Sequence, residues 1–392
     1  MRLGDCCKTN LHTYSDKEKW SLIRYLDTGS ITEGRIDEIQ TLYPGVDKIP
    51  SRARRKASVG DILFSTVRPN QKHYGIIEAG TENLLVSTGF TVVTVDTTIA
   101  DPYFIYYYLT QSSVIESLQA IAEQSTSTYP SIKPSDIEDI ELDLPELETQ
   151  KKIGSTLRML DRKIALNEEI NDNLEQQAQA IYHERFETVS PNDLPSDWRI
   201  VTLGEVATIS NKSFNPLKEP EILLEHYSIP AFDEARFPVF ELSTSIKSNK
   251  FIIDASCFMI SKLNPTTKRV WKPYCLTGNA VCSTEFIVYK AKDQSITDFL
   301  YSVIDSGSFS DFMCSHVTGS TGSRQRTTPS DTLSYELILP SEDELAEFQS
   351  LVSPMYAQMR INAIENDKLK RLRDSLLPKL MSGEIDVSAV QL

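Results

Sequence analysis

Three clusters of basic residues are the part of this 392-residue sequence whose side chains could do chemistry. "SRARRK" (residues 51–56) precedes a predicted strand, "KLNPTTKRVWK" (262–272) surrounds a proline, and "GSRQRT" (322–327) places a glutamine between two arginines. Arginine and glutamine can form paired hydrogen bonds with the edges of guanine and adenine, whereas lysine mostly contacts phosphates. The clusters predict nucleic-acid contacts. The alternative for each cluster is an ordinary solvated surface run.

The candidate DNA-binding residues occur in both halves of the chain. They are Arg52, Arg54, Arg55, Lys56, Arg68, Lys72, Lys262, Asn264, Lys268, Arg269, Lys272, Arg324, Gln325 and Arg326. The formal net charge of −15 opposes DNA binding at first sight, but two segments, 134–186 and 329–392, carry −7 and −5 of it. Because the rest of the chain is nearly neutral, its basic clusters can still face phosphates.

No catalytic motif accompanies these clusters. The sequence contains no GxxxxGK[ST] phosphate loop, no HExxH zinc motif and no GxSxG nucleophile elbow. The six cysteines show no CxxC spacing and the five histidines show no ligand spacing, so we expect no metal site and no cofactor. The absence of a secretory signal and of an apolar run of about 18 residues predicts a cytoplasmic location.

The chain is an internal duplication with a period near 195 residues. "PSDIEDIELDLP" (134–145) returns as "PSDTLSYELILP" (329–340), and "NEEINDNL" (167–174) returns as "NAIENDKL" (362–369). "STVRP" (65–69) and "SKLNP" (261–265) match at a nearly equal offset. Such a long, single repeat indicates two tandem units rather than a solenoid, each with a globular part followed by an acidic part.

The acidic parts are predicted to be long helices. Apolar residues recur at alternating spacings of four and three from residue 153, which indicates a heptad seam, and the second copy repeats it 195 residues later. Asparagine interrupts both seams, at Asn167 and Asn171 and at Asn362 and Asn366. If the helices are antiparallel, Asn167 faces Asn366 and Asn171 faces Asn362, unless these residues only line a solvated face. Pro354 should kink or interrupt the second helix.

The globular parts are predicted to be mixed α/β. "GDILFSTV" (60–67), "GFTVVTV" (89–95), "CFMISKL" (257–263) and "EFIVYKA" (285–291) are β-rich runs bounded by turn residues. "PYFIYYYLTQS" (102–112) and "ITDFLYSVIDS" (296–306) have helical spacing. Their aromatic residues are therefore predicted to belong to a core rather than to a base-stacking surface.

The order of these motifs resembles the specificity subunit of type I restriction-modification systems. The matching motifs are "GDIL" (60–63), "SKLNP" (261–265), "RQRTTPSD" (324–331), the LxLP ends (142–145 and 337–340) and "LLPKLMSGEI" (376–385). The first copy departs from the pattern with "STSTYPSIKPSD" (125–136), so its DNA contacts there are less defined. The resemblance covers nearly the whole chain.

The resemblance implies an α+β fold: two tandem α/β target-recognition domains separated by two long antiparallel coiled-coil helices with pseudo-twofold symmetry. The expected boundaries are 1–133 and 190–328 for the domains, and 134–189 and 329–392 for the spacer helices. Such a chain would read a bipartite, asymmetric site in double-stranded DNA. It would dock two modification (methyltransferase) subunits and also restriction (translocase-nuclease) subunits, without catalytic residues of its own. The alternatives are a self-contained DNA methyltransferase and a coiled-coil scaffold that binds no DNA.

Overall fold

A computed structural model describes residues 1–125, 129–190, 192–319 and 325–387. The chain divides into two compact units. Unit 1 comprises residues 1–163 and 369–392, and unit 2 comprises residues 164–368. Each unit therefore contains one β-rich domain together with a segment of each long helix.

The first half of the chain begins with ten short strands, followed by three helices and the first long helix, of which residues 147–163 belong to unit 1. They are β1 Cys7–Thr9, β2 Ile23–Leu26, β3 Ile31–Thr32, β4 Arg35–Ile36, β5 Gln40–Leu42, β6 Ala53–Lys56, β7 Ile62–Ser65, β8 Tyr74–Ile76, β9 Leu84–Ser87, β10 Phe90–Val95, α1 Pro102–Leu109, α2 Ser112–Glu123, α3 Pro134–Glu138 and α4 Leu147–Tyr182. We call β1–β10 with α1–α3 domain 1.

The second half of the chain has a similar series and ends in the second long helix, of which residues 342–368 belong to unit 2. Its elements are β11 Arg199–Thr202, α5 Leu203–Val206, β12 Ala207–Ser210, β13 Ser213–Phe214, β14 Leu223–Tyr227, α6 Ile229–Ala235, β15 Val239–Leu242, β16 Lys250–Ile252, β17 Cys257–Ser261, β18 Val270–Trp271, β19 Ala280–Ser283, β20 Phe286–Ala291, α7 Thr297–Ile304, α8 Gly307–Ser315, β21 Val317–Thr318, β22 Arg326–Thr327, α9 Pro329–Thr332, β23 Glu336–Leu339 and α10 Glu342–Met381. We call β11–β23 with α5–α9 domain 2.

The sheets of the two domains share one topology. An antiparallel sheet has the order β1-β10-β7-β8 in domain 1 and β12-β20-β17-β18 in domain 2. A mixed sheet has the order β5-β2-β9-β6 in domain 1, and domain 2 repeats it as β15-β14-β19-β16 with β13 added at one edge. The central pairs β2–β9 and β14–β19 are parallel, and the other pairs in these sheets are antiparallel. The duplication seen in the sequence is therefore a duplication of the fold.

The four predicted β-rich runs correspond to β7, β10, β17 and β20, and the two aromatic helices to α1 and α7. The aromatic residues of α1 and α7 are mostly buried, as predicted for a core. In unit 2, Phe299 of α7 packs edge-to-face on Phe186 and Phe348 at ring-centroid distances of 5.4 and 6.0 Å. This aromatic cluster joins the domain to both long helices, because Phe186 follows α4 and Phe348 belongs to α10.

Helices α4 and α10 pack together along the predicted seam. In unit 1, Ile153 and Leu157 of α4 share a buried cluster with Leu380 near the end of α10. Arg373 occupies a seam position there, and its guanidinium donates to Asp161 Oδ1 at 2.7 Å. Burial alone would lower the pKa of Arg373, but the carboxylates of Asp161 and Asp374 raise it above its ordinary value. The seam thus accepts a charge because an acidic partner neutralises it.

The second long helix is continuous from Glu342 to Met381, so the expected interruption at Pro354 is wrong. Proline removes one backbone donor and crowds the preceding turn. Neighbouring residues offset this, because Val352 and Tyr356 are buried and Tyr356 packs edge-to-face on Tyr301 at a ring-centroid distance of 4.9 Å. Packing on both sides of the proline therefore holds the helix together.

Candidate nucleic-acid interface

The loop that follows β7 in domain 1 is a turn braced by a serine. Ser65 Oγ donates to the carbonyl oxygen of Val67 at 3.0 Å and accepts from the Val67 amide at 3.2 Å. Arg68 then adopts the left-handed conformation, with φ of 49°, directly before Pro69. The Arg68 amide donates to the carbonyl oxygen of Pro130 at 3.0 Å, which ties the turn to the segment preceding α3.

Domain 2 repeats this geometry after β17. Ser261 Oγ donates to the Leu263 carbonyl oxygen at 3.1 Å and accepts from the Leu263 amide at 3.2 Å. Asn264 has a φ of 52°, and its amide donates to the carbonyl oxygen of Gln325 at 2.9 Å. We call residues 65–69 and 261–265 the proline turns. Their backbone geometry is shared, whereas the left-handed residue is arginine in one and asparagine in the other.

The first proline turn presents a cation beside an exposed aromatic ring. The guanidinium of Arg68 lies 5.2 Å from the ring centroid of Tyr129, and 56% of Tyr129 is exposed. Lys72 also has positive φ, but its Nζ forms an ion pair with Glu33 at 2.5 Å. An exposed arginine stacked on tyrosine suits contact with DNA, since the guanidinium can bind a phosphate or a base edge and the ring can stack on a base. The sequence had identified Arg68 but not Tyr129.

The second proline turn lies beside the strand that carries Gln325 and Arg326. Leu263 and Arg326 form an isolated antiparallel bridge. The guanidinium of Arg326 binds both oxygens of Glu285, with Nε to Oε2 at 3.0 Å and Nη2 to Oε1 at 3.2 Å. The Glu285 carboxylate raises the pKa of Arg326. The predicted candidate Arg324 lies outside the described residues.

Glu285 is a residue that sequence reasoning did not select. Besides holding Arg326, it accepts the Lys262 amide at its own carbonyl oxygen at 2.9 Å. In domain 1 the equivalent residue is Gly89, because its carbonyl oxygen accepts a hydrogen bond from the Thr66 amide at 2.8 Å. The "STGF"/"STEF" alignment (87–90 and 283–286) was the only available signal, and it marks this difference. The structure therefore brings Lys262, Asn264, Gln325 and Arg326 together around Glu285.

The "SRARRK" cluster forms the turn before β6 and β6 itself. Arg52 is exposed in the turn. Arg54 and Arg55 are half-buried, and burial lowers the pKa of Arg55, whose Nε is buried without a hydrogen-bond partner. Lys56 forms an ion pair with Glu18 at 2.5 Å. The cluster is thus partly built into domain 1, and Arg52 is its most exposed member.

Three predicted DNA contacts in domain 2 have acidic partners inside the domain. Lys268 Nζ lies 2.8 Å from Oδ1 of the buried Asp305. Arg269 binds both oxygens of Asp233 and only 13% of its side chain is exposed. Lys272 forms an ion pair with Asp298 of α7. These pairs give each cation a structural role, and DNA contact by these residues stays a prediction.

The four seam asparagines form two equivalent pairs in unit 2. Asn167 Nδ2 donates to Asn366 Oδ1, and Asn362 Nδ2 donates to Asn171 Oδ1, both at 2.8 Å. Asn366 also donates to the Ile164 carbonyl oxygen at 3.1 Å, and Asn171 to that of Met359 at 3.2 Å. Each bond maps onto another when 195 is added or subtracted. Asn167 pairs with Asn366, and the later Asn171 pairs with the earlier Asn362, so the two helices run antiparallel here.

Within the described ranges, no group of three or more His, Cys, Asp or Glu side chains could hold a metal ion. No helix in the same part of the chain is long and apolar enough to cross a bilayer. The candidate interface consists of turns and neighbouring strands with arginine, lysine, asparagine and glutamine side chains. Such side chains can recognise a ligand by hydrogen bonds and charge.

The duplicated fold and its paired loops define a protein with two similar domains, each of which carries a proline turn with a polar side chain. Comparison with known proteins identifies its family. The family model of the "Type I restriction modification DNA specificity domain" matches residues 48–176. Residues 48–176 therefore belong to the family of type I restriction-modification DNA specificity domains, and the chain is a type I specificity subunit, which recognises DNA target sites.

Two curated relatives and one solved structure illustrate this similarity. The HindI specificity subunit of Haemophilus influenzae is 24% identical, over 98% of both chains. The MjaIX specificity subunit of Methanocaldococcus jannaschii is 24% identical, over 84% of this chain and 78% of its own. The structure of the type I restriction-modification S subunit from M. genitalium aligns with a TM-score of 0.58 at 16% identity, over 97% of this chain and 95% of its own. That last likeness supports the fold.

Proposed function

We propose that domains 1 and 2 each read one half of a bipartite, asymmetric site in double-stranded DNA, and that the chain thereby directs methylation and cleavage by partner subunits. The observation that carries this proposal is the pair of proline turns. The same backbone geometry presents Arg68 in one domain and Asn264 in the other. Because arginine prefers guanine and asparagine prefers adenine in the major groove, two such turns would read different bases.

The charge distribution supports DNA contact through the domains rather than through the helices. The segments 134–186 and 329–392, which contain both long helices, carry net charges of −7 and −5. Negative segments are repelled by phosphates, whereas the nearly neutral domains present Arg52, Arg68 and Lys262. The proposed DNA-reading surface is therefore confined to the two domains.

The domain boundaries are part of this proposal, with residues 1–133 and 190–328 as the reading domains and 134–189 and 329–392 as the spacers. Replacing residues 190–328 with the second domain of another family member should change one half of the methylated site only. Methylome sequencing of a host that expresses the chimera with its modification subunits would show this. A change in both halves, or in neither, would refute separate reading.

We also propose that the long helices dock the two modification subunits, and that restriction subunits join this core. Leu166 on α4 and Ile361 on α10 are 50% and 55% exposed, and they are equivalent in the duplication at an offset of 195. Exposed apolar residues at equivalent positions suit two copies of one partner, because each copy can meet the same side chain.

Single Leu166→Asp and Ile361→Asp variants should each lose one modification subunit, and the double variant should lose both. The stoichiometry of the purified complex, measured by native mass spectrometry, tests this. Leu351→Asp is the matched control, because Leu351 is 41% exposed on α10 and its counterpart in α4 is Thr156. Full stoichiometry in the double variant would exclude this docking surface.

A further inference from the structure

Domain 1 contains an aromatic cavity that the proposed reading of base edges does not use. It measures about 550 Å³. Tyr14, Trp20, Ile23 and Ile49 supply apolar lining, and Lys19 and Arg54 supply positive charge. The rings of Tyr14 and Trp20 lie 4.7 Å apart at 45°, and the Tyr14 amide donates to the Arg54 carbonyl oxygen at 2.7 Å. The cavity is therefore anchored to the basic strand β6.

One wall of this cavity is a tight turn with an apolar tip, which we call the valine turn (residues 43–47). Pro44 and Gly45 of the valine turn line the cavity, while Val46 at its tip is 85% exposed and Tyr43 is 52% exposed. The turn is braced, because the Asp47 carboxylate accepts the Tyr43 amide and the Asp47 amide donates to the Tyr43 carbonyl oxygen, both at 2.8 Å. A valine held this far out in solvent has no role in the core.

Domain 2 has the same framework with different side chains at the equivalent positions. The bridge between Thr13 and Arg55 corresponds to the pairing of Ser213 with Phe251, so Phe214 and Lys250 stand where domain 1 has Tyr14 and Arg54. Lys250 is only 5% exposed, and its Nζ donates to the carbonyl oxygen and the hydroxyl of Ser248 at 3.1 and 2.7 Å. The lining by Tyr14, Trp20 and Arg54 is therefore particular to domain 1.

We propose that the cavity binds one unstacked nucleotide of the half-site read by domain 1, with Val46 inserted at the step that the base leaves. The base of a nucleotide has apolar faces for the aromatic and proline walls, and the phosphate of the nucleotide suits the charge of Lys19. Apolar side chains inserted between base pairs unstack them, and enzymes that extrude a base hold it in a snug pocket. The inference rests on the proposed DNA-reading function and deepens it, since domain 1 would read its half-site partly by base eversion.

The test is a mismatch scan of the domain 1 half-site, once methylome sequencing has located it. The full-length chain in complex with its modification subunits is titrated with duplexes that each carry one mismatch. Because a mismatch removes part of the unpairing penalty, one position should bind roughly tenfold tighter or more, and every other mismatch should weaken binding. Trp20→Leu should abolish the gain at that position, and Trp20→Phe, which keeps an aromatic wall, should retain most of it.

Val46→Ser provides a second variant that leaves the core untouched. It should weaken binding of the fully paired site by several-fold and leave binding of the favourable mismatch unchanged. Val59→Ser is the matched control, because Val59 is 60% exposed elsewhere in domain 1. The cavity proposal is overturned if no mismatch tightens binding, or if Trp20→Leu and Val46→Ser both behave like Val59→Ser. A complex that fails to bind any paired site would instead refute the proposed function.

Discussion

Replacing Asn167 by leucine should destabilise the helix pair strongly, although leucine is the residue that a heptad seam prefers. Asn167 is fully buried and donates to Asn366 Oδ1 at 2.8 Å and to Glu365 Oε2 at 2.7 Å. The Asn167→Leu variant removes both donors. Asn366, which is only 6% exposed, would keep its own donation to the Ile164 carbonyl oxygen but lose the donor to its Oδ1.

The size of this destabilisation follows from the cost of leaving a buried polar group unpaired, which exceeds the net contribution of the hydrogen bond itself. A buried acceptor left without a donor costs about 1–3 kcal/mol, and a lost hydrogen bond contributes about 1 kcal/mol more. We therefore expect the local opening free energy of the helix pair to fall by about 2–4 kcal/mol. Replacing Asn366 by leucine as well should recover most of this loss, because the buried amide that lost its donor is then gone and Glu365, which is only half-buried, can bind water.

Hydrogen exchange of peptides from the middle of α4 measures this opening free energy directly. A loss of 2–4 kcal/mol corresponds to exchange roughly 30- to 700-fold faster, at 1.4 kcal/mol per tenfold. Asn173→Leu is the matched control, since Asn173 is exposed on the same helix and donates only to the Glu169 carbonyl oxygen. The reasoning fails if Asn167→Leu and Asn173→Leu exchange at the same rate. It also fails if the double variant with leucine at both 167 and 366 exchanges as fast as Asn167→Leu alone.

Four further outcomes are expected. Burial raises the pKa of Asp305 from 3.8 to about 6, so between pH 4 and 6 the folded state binds a proton that the unfolded state has released. The free energy of unfolding should therefore fall by up to about 3 kcal/mol as the pH rises from 4 to 6. In urea unfolding measured over this pH range, Asp305→Asn should remove most of the pH dependence. Arg326→Ala should weaken DNA binding by about 1–3 kcal/mol and relax the preference at one base position. An equal loss of affinity for all sequences, with a shallower dependence on salt, would show that Arg326 contacts a phosphate. Unchanged binding would show that Arg326 has only a structural role. Asn171→Cys with Asn362→Cys should crosslink more readily than Asn167→Cys with Asn362→Cys in a cysteine-free chain; equal yields would contradict the register. One heptad inserted into both long helices should lengthen the stretch of unrecognised base pairs between the two halves of the methylated site. If methylation persists with a stretch of unchanged length, the helices do not set its length.

The sequence predicted the parts of the fold that depend on periodicity. The repeat of 195 residues, the α4–α10 seam and the asparagine positions are all encoded in spacing, and spacing survives in a linear string. Pro354 was misjudged because the intrinsic preference of proline was weighed without the packing of its neighbours. The mixed sheets were not predicted, since strands of two to five residues carry too little alternation to be recognised.

The candidate site was predictable by residue type but not by partner. Arg269 pairs with Asp233, 36 residues away, and Lys272 with Asp298, so their carboxylate partners depend on the folded sheet. A basic cluster read along the chain gives no measure of how much of its charge is already neutralised. The paired proline turns show the opposite case, because the serine hydroxyl that braces each turn finds its partners two residues along the chain.

The proline turns also bear on how such a protein changes over generations. Their frame is built by a serine hydroxyl and by backbone amides, which almost any residue supplies, so the side chain at position 68 or 264 carries little of the folding energy. A left-handed arginine costs about 1–2 kcal/mol relative to asparagine, which is small against the stability of a domain. Mutation can therefore sample new side chains at these two positions while the chain still folds, and each copy can drift without the other.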